Sequence, residues 1–289
     1  MKIMRFIGIV FALFSAGSPS DTSAQDSRKK YKVYMVSNSH LDTQWRWDVK
    51  ATIDDYLYNT AVQNLALLEK YPHYVFNFEG AVKYEWIKEY YPHLFERIRK
   101  FVADGRWNIS GASFEANDPN MPSSESFIRN ILLAQEFYKK EFGIKSKDMF
   151  LPDCFGFSQV MPTLGHHCGL IGFSTQKLSW RKHDFFPDAP YHKKNPFSWG
   201  VWYGIDGQSL MAAFDTGGYT AELPADAGYN KDFIRRASNG FDNTAMRYYS
   251  GGHLHGTTNC GDKGNSGTVT TARRMAEAMA DLDAPVQLI

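Results

Sequence analysis

Net charge is almost absent from this 289-residue chain: 32 Lys and Arg face 31 Asp and Glu, leaving a formal +1. No basic excess is available for nucleic acid or an anionic membrane surface. Cysteine is scarce. Cys154, Cys168 and Cys260 form no Cys-x-x-Cys pair and, being three, cannot all pair within the chain. A zinc ribbon or dithiol redox motif is thereby excluded, and small buried residues with at most one bridge are expected. The apolar run near the N-terminus, Phe6 to Gly17, is too short to span a bilayer. It follows Met1-Lys2-Ile3-Met4-Arg5 and precedes Thr22-Ser23-Ala24, the order of an export signal. Residues 1–24 are expected to be a signal peptide without a lipid-anchoring Cys. The mature protein is then exported, periplasmic or extracellular, with neither nucleic acid nor membrane as partner. No internal repeat is present, and nothing in the pattern specifies an oligomeric state.

What is present suits one large or two ordinary globular domains: 43% of residues are hydrophobic and 15% aromatic. Abundant rings fill cores, and they also stack on sugars. Tyr31 to Val36 reads as a buried strand, and Ile53 to Lys70 as a helix with Leu57, Ala61, Leu65 and Leu68 on one face. A strand at Tyr74 to Phe78 ends at Glu79-Gly80. Lys83 to Asp104 reads as helical, with Pro92 kinking or dividing it. Arg106 to Ser110 is a short strand. A Ser cap in Pro122-Ser123-Ser124-Glu125 starts a helix running to Phe142, closed by Gly143. Asp148 to Leu151 and Leu170 to Ser174 are further strands. Phe197 to Tyr203 and Ser209 to Phe214 pattern as a hairpin about Asp206-Gly207. Residues 215–267 read mostly as loop, Thr268 to Leu282 as a helix, and Gln287 to Ile289 as part of another strand. Alternating strands and helices predict an α/β class: a mostly parallel β-sheet or an irregular seven-stranded β/α barrel surrounded by helices.

The chemistry concentrates after strands, where α/β folds place their sites. In Ser39-His40-Leu41-Asp42-Thr43-Gln44-Trp45, His40 and Asp42 are two apart in an extended chain and point the same way. An imidazole and a carboxylate so placed form a two-ligand metal foothold. Trp45 and Trp47 beside it suit the apolar face of a sugar. A plain strand-end turn with solvated side chains is the bland alternative. Asp153 follows the fourth strand, in Leu151-Pro152-Asp153-Cys154-Phe155-Gly156-Phe157-Ser158.

That last segment resembles the nucleophile segment of glycoside hydrolase family 38, the α-mannosidases. The His40-Leu41-Asp42 stretch looks like the family's first metal motif. Gly105-Arg106-Trp107, Asp118-Pro119-Asn120-Met121-Pro122-Ser123, Phe142-Gly143 and Thr175-Gln176-Lys177-Leu178-Ser179-Trp180 follow in family order. Residues 31–289 are identified as the family's catalytic domain, truncated before its last metal ligand and its helical and β-sandwich domains. The resemblance implies one Zn²⁺ per chain held by His40, Asp42 and Asp153. It makes Asp153 also the nucleophile, Trp45 and Phe155 the walls of the sugar pocket, and Lys177 a contact for sugar hydroxyls. Zinc would chelate O2 and O3 of a terminal mannose. The implied reaction is retaining hydrolysis of α-linked mannose from glycans, which needs two carboxyls about 5–5.5 Å apart. Gly261-Asp262-Lys263-Gly264 resembles the family's acid-bearing loop, with Asp262 the candidate acid/base and a turn Asp the alternative.

The family's fourth ligand is a His beyond residue 289, so a loop His such as His253 or His255 is the internal alternative. His166 and His167 read as surface or satisfied histidines, since nothing in the sequence pairs them with a carboxylate. Asp118 and Asn120 read as a helix-entry turn. A metal-dependent polysaccharide deacetylase also uses His and Asp at strand ends, but its usual His-x-x-x-His is missing here. An inactive carbohydrate-binding remnant is the third reading.

Overall fold

The computed structural model describes residues 31–175, 199–213, 226–232, 244–250 and 286–288. The leader 1–24, Lys177, His253, His255, Cys260, Asp262 and the expected helix Thr268 to Leu282 lie outside the described residues. The chain is organised about β1 (Tyr31–Ser39), which runs past the expected apolar stretch so that His40 is the first residue beyond it. β2 (Phe76–Phe78) pairs with it in parallel at Asn38 and Ser39, and β3 (Trp107–Ile109) extends the ladder. The second sheet holds β4 (Asp148–Phe150), β5 (Gly172–Ser174), β6 (Trp199–Tyr203) and β7 (Ser209–Ala213). Its order is β4-β5-β7-β6, parallel except for the expected β6–β7 hairpin. β8 (Thr244–Ser250) lies in parallel along β1 from Lys32 to Asn38, and β9 (Val286–Leu288) pairs with Tyr31 to Val33.

The expected helix at Ile53 begins earlier and is composite: α1 (Val49–Ala51), a π-helical segment (Thr52–Leu57) and α2 (Tyr58–Lys70). Asp48 caps it by accepting from the Ala51 amide at 2.8 Å. The face Leu57, Ala61, Leu65 and Leu68 is buried as its spacing requires. Pro92 divides the next helix into α3 (Ala81–Tyr90) and α4 (Pro92–Ala103); Pro at the first helical position removes no intrahelical bond. Tyr84, Ile87, Leu94, Phe95 and Ile98 are buried, whereas Tyr90 is exposed. α5 (Ser124–Phe142) has the expected Ser cap, supplied by Ser123, and a left-handed Gly143 at its end. With Phe76, Phe78 and Trp107 these helices form one core; Met149, Leu151, Phe173, Leu210 and Ala212 centre a second, on which α6 (Met161–His167) packs through Met161.

The barrel expectation is corrected. The described strands make two open, mostly parallel sheets with no closed ring among the described residues. At the seam between β3 and β4, side-chain bonds stand where a ladder would continue. The Asp148 carboxylate accepts from the Gly111 amide at 3.2 Å, from Ser110 Oγ at 3.1 Å and from Ser146 Oγ at 3.1 Å. One backbone bond, Ala112 N–H to Asp148 O at 2.8 Å, crosses the seam. At the other edge the antiparallel β6 is the last strand of the second sheet among the described residues. A strand at Thr244–Ser250 lies within 215–267, a stretch that reads mostly as loop and in which no strand is expected.

The seam has a measurable consequence. Asp148→Ala leaves three donors without their shared acceptor and should lower stability by about 2 kcal/mol, read as a reduced denaturation midpoint. Burial raises the Asp148 carboxyl above its ordinary range, against the lowering effect of its hydrogen bonds. Asp148→Asn, neutral and retaining one acceptor oxygen, should therefore cost less than the Ala variant; the reverse order would contradict this account of the seam.

Candidate metal centre

Three strand ends converge on one point. Leu41 is buried in the core, and its neighbours His40 and Asp42 point away from it together, as alternation in an extended chain dictates. His40 Nε2 lies 3.3 Å from Asp42 Oδ1 and 3.9 Å from Asp153 Oδ2, which comes from the loop after β4. One donor atom from each of the three residues lies within 4.8 Å of the others. Both distances from Nε2 are shorter than the roughly 4.2 Å that can separate two N or O donors sharing one zinc. The donor set, one imidazole nitrogen and two carboxylate oxygens, therefore fits a divalent cation. His40 is 3% exposed, while the side chains of Asp42 and Asp153 are about a quarter exposed at 25% and 24%, so the cluster opens on its carboxylate side.

A third acid completes the arrangement. Glu79, first residue after β2, takes His40 Nδ1 at 3.2 Å, and Lys83 Nζ donates to the same Oε1 at 2.8 Å. Burial opposes charge on the imidazole, but the bonds to Asp42 and Glu79 override it and push His40 up to about 9. Without a metal the carboxylates thus hold a proton on the ring, which a cation must displace. Burial disfavours the Glu79 anion as well, yet Lys83 and His40 bring its carboxyl below the ordinary range. Nearby Glu115 is raised by burial, partly offset by Lys83 and by bonds from the Ala116 amide and Thr43. Sequence reasoning missed Glu79, Lys83 and Glu115. Glu79 carried the same signal as Asp153, an acid at a strand end; Lys83 carried only an i, i+4 relation to it.

The aromatic segment is pinned beside this centre. Trp47 Nε1 donates to Thr52 Oγ1 at 2.7 Å, and Thr52 Oγ1 donates to the Thr43 carbonyl at 2.7 Å. Thr52 opens the π-helical segment, a local widening that often marks functional sites. Trp45 meets Trp47 edge to face at 6.1 Å and carries the Arg46 guanidinium over its ring at 4.2 Å. Gln44 to Asp48 line an open depression of about 670 Å³. Trp45 and Phe155, one in each of the two sequence motifs, are large apolar side chains left 51% and 64% exposed.

Other expected residues fall as follows. Asp118 Oδ1 accepts from the Asn120 amide at 2.7 Å, a helix-entry turn. Asn120 approaches Gly156 closely: a Cβ there would stand 2.6 Å from its Nδ2, so a larger residue would require the Asn120 side chain to shift. Cys154 and Cys168 are both half-buried, and Cys154 Sγ donates to the Asn117 carbonyl at 3.4 Å. His167 is at the surface, but the expectation of no carboxylate partner is corrected: its Nε2 lies 2.9 Å from Asp206 Oδ2, supplied by the β6–β7 turn. No helix among the described residues is long and apolar enough to cross a membrane.

A family model described as the glycosyl hydrolases family 38 N-terminal domain matches residues 30–282. The chain belongs to glycosyl hydrolase family 38. Its family 38 relatives include α-mannosidase G of Dictyostelium discoideum, 35% identical over 239 residues covering 80% of this chain and 20% of that protein. This chain thus spans about a fifth of that relative's length. Among solved structures, an α-mannosidase from Enterococcus faecalis superposes with a TM-score of 0.68 at 19% identity, over 90% of this chain and 28% of that one. A 4-α-glucanotransferase from Thermococcus litoralis superposes at 0.60 and 13% identity, over 90% and 39%. Those two likenesses establish the fold; the family 38 sequence relationship separates this chain from other users of it.

Proposed function

We propose that this domain carries the metal-binding part of a zinc-dependent retaining α-mannosidase that removes terminal α-linked mannose from glycans. The observation that supports it is the convergence of His40, Asp42 and Asp153 in a family 38 chain. A bound divalent ion would supply Lewis-acid chelation of two vicinal hydroxyls, which the cis O2 and O3 of mannose present. His40, Asp42 and Asp153 would hold that ion. Asp153 would also attack the anomeric carbon as the glycosidic C–O bond breaks and the departing oxygen takes a proton from the acid/base carboxyl; water activated by that same carboxylate later hydrolyses the glycosyl ester with net retention. Asp262 is assigned the acid/base role and Lys177 a sugar-hydroxyl contact; both assignments come from the family resemblance.

Release of a chromogenic aryl α-mannoside, lost with a chelator and restored by zinc, is the expected result. Release of acetate from an acetylated polysaccharide would instead favour the deacetylase reading, and binding of mannosides without turnover the inactive remnant. The exposed aromatics give a further prediction. Trp45→Ala should raise KM about tenfold or more, in the range of one lost ring-stacking contact, while zinc content stays at the parent level. An unchanged KM would remove Trp45 from the sugar pocket.

A further inference from the structure

The pair Glu79–Lys83 is expensive where it stands. The Lys83 side chain is 0% exposed and that of Glu79 2%. Two charges taken so fully from water seldom add stability over apolar residues of the same size. The pair's position supplies another reason for it. Glu79 Oε1 lies 2.8 Å from Lys83 Nζ and 3.2 Å from His40 Nδ1, so one oxygen joins the lysine to the imidazole. With Nδ1 engaged there, the other ring nitrogen faces Asp42 and Asp153. The backbone is shaped for this contact. Gly80, N-cap of α3, has φ +90°, and a Cβ on it would stand 3.1 Å from Lys83 Cε. The lysine stem fills the space that any other residue at position 80 would take.

We propose that Glu79 and Lys83 are positioning residues of the metal centre: Lys83 fixes the Glu79 carboxylate, and Glu79 holds the His40 ring with its proton on Nδ1 and its lone pair on Nε2 toward the metal. The inference rests on His40, Asp42 and Asp153 being the ligands. Groups that orient a ligating histidine typically change metal affinity by about 10–100-fold when removed. Lys83 acts one contact farther out, and its effect passes through Glu79.

The test is zinc affinity of the 289-residue chain, by competition with a chromophoric chelator, for the parent, Lys83→Met, Glu79→Gln and Glu79→Met. Lys83→Met and Glu79→Met should each weaken zinc about 10–100-fold, with Glu79→Gln, which keeps an acceptor, losing less than Glu79→Met. The visible bands of the cobalt-loaded chain should change in both Met variants, a signature that a purely structural role would not move. Parent-like zinc affinity and cobalt bands in folded Lys83→Met and Glu79→Met would overturn the inference. Should those variants fail to fold, the zinc-loaded parent decides it: long-range proton–nitrogen correlation spectra should place the His40 ring proton on Nδ1, and a proton on Nε2 overturns the proposal. A parent that binds no zinc would overturn the ligand reading itself, and this inference with it.

Discussion

Asp153→Asn is expected to abolish aryl α-mannoside hydrolysis in an active polypeptide carrying this domain, a loss of at least about 10⁴-fold, and to weaken zinc binding in the same protein. The two losses share one cause. Asp153 approaches His40 Nε2 to 3.9 Å, and its side chain is about a quarter exposed at 24%. It is near enough to the imidazole to share a cation and open enough to meet a sugar. Asn preserves the shape but has neither the negative charge that strengthens the hold on a cation nor an anionic oxygen able to form the glycosyl ester. A residue that only bound metal would act differently: water would attack directly and the first-formed mannose would be the β-anomer. Proton NMR should instead show α-mannose first. A fluorinated mannosyl fluoride should label Asp153, as peptide mass spectrometry would reveal. First-formed β-mannose, or a label on Asp262, would sink the nucleophile assignment.

The parts of the site legible from sequence were those set by local geometry. His40 and Asp42 lie on one side of Leu41 because extended backbone alternates, and that alternation needs no partner to be read. Asp153 was legible through its own segment. Glu79 reaches His40 only because β2 pairs with β1 at Asn38 and Ser39, a tertiary fact that no spacing encodes. Asp206 meets His167 for a similar reason, across a hairpin turn. β8 escaped notice because Thr244–Ser250 lies amid Gly, Asn and Asp, and its order comes from seven parallel pairings with the distant β1. The barrel expectation failed at a side chain. Strand–helix alternation argues for parallel pairing, which is found, but closure depends on each neighbour continuing the ladder, and at β4 the Asp148 carboxylate takes the donors of Ser110 and Gly111.

His40→Ala should leave a chain that folds but does not respond to zinc. The imidazole is the nitrogen donor of the cluster and faces both carboxylates from one atom. Deleting it removes a ligand outright, so the affinity loss should exceed the about 10–100-fold typical of losing an outer partner. Folding should survive, because Glu79 keeps its 2.8 Å contact with Lys83 and is not left as an isolated buried charge. Ligand binding stabilises a native state by mass action, about 2.7 kcal/mol when free ligand is a hundredfold above Kd. Titrating zinc into the parent should therefore raise its unfolding temperature, while the His40→Ala midpoint stays where it was in chelator. His167→Ala supplies the control: it removes an exposed imidazole paired with Asp206, away from the cluster, and should keep the full zinc response. Elemental analysis after dialysis gives the same answer without unfolding. If His40→Ala retains as much zinc as the parent, or if His167→Ala loses it, the cation sits elsewhere and Asp42 and Asp153 lose their assignment together with His40.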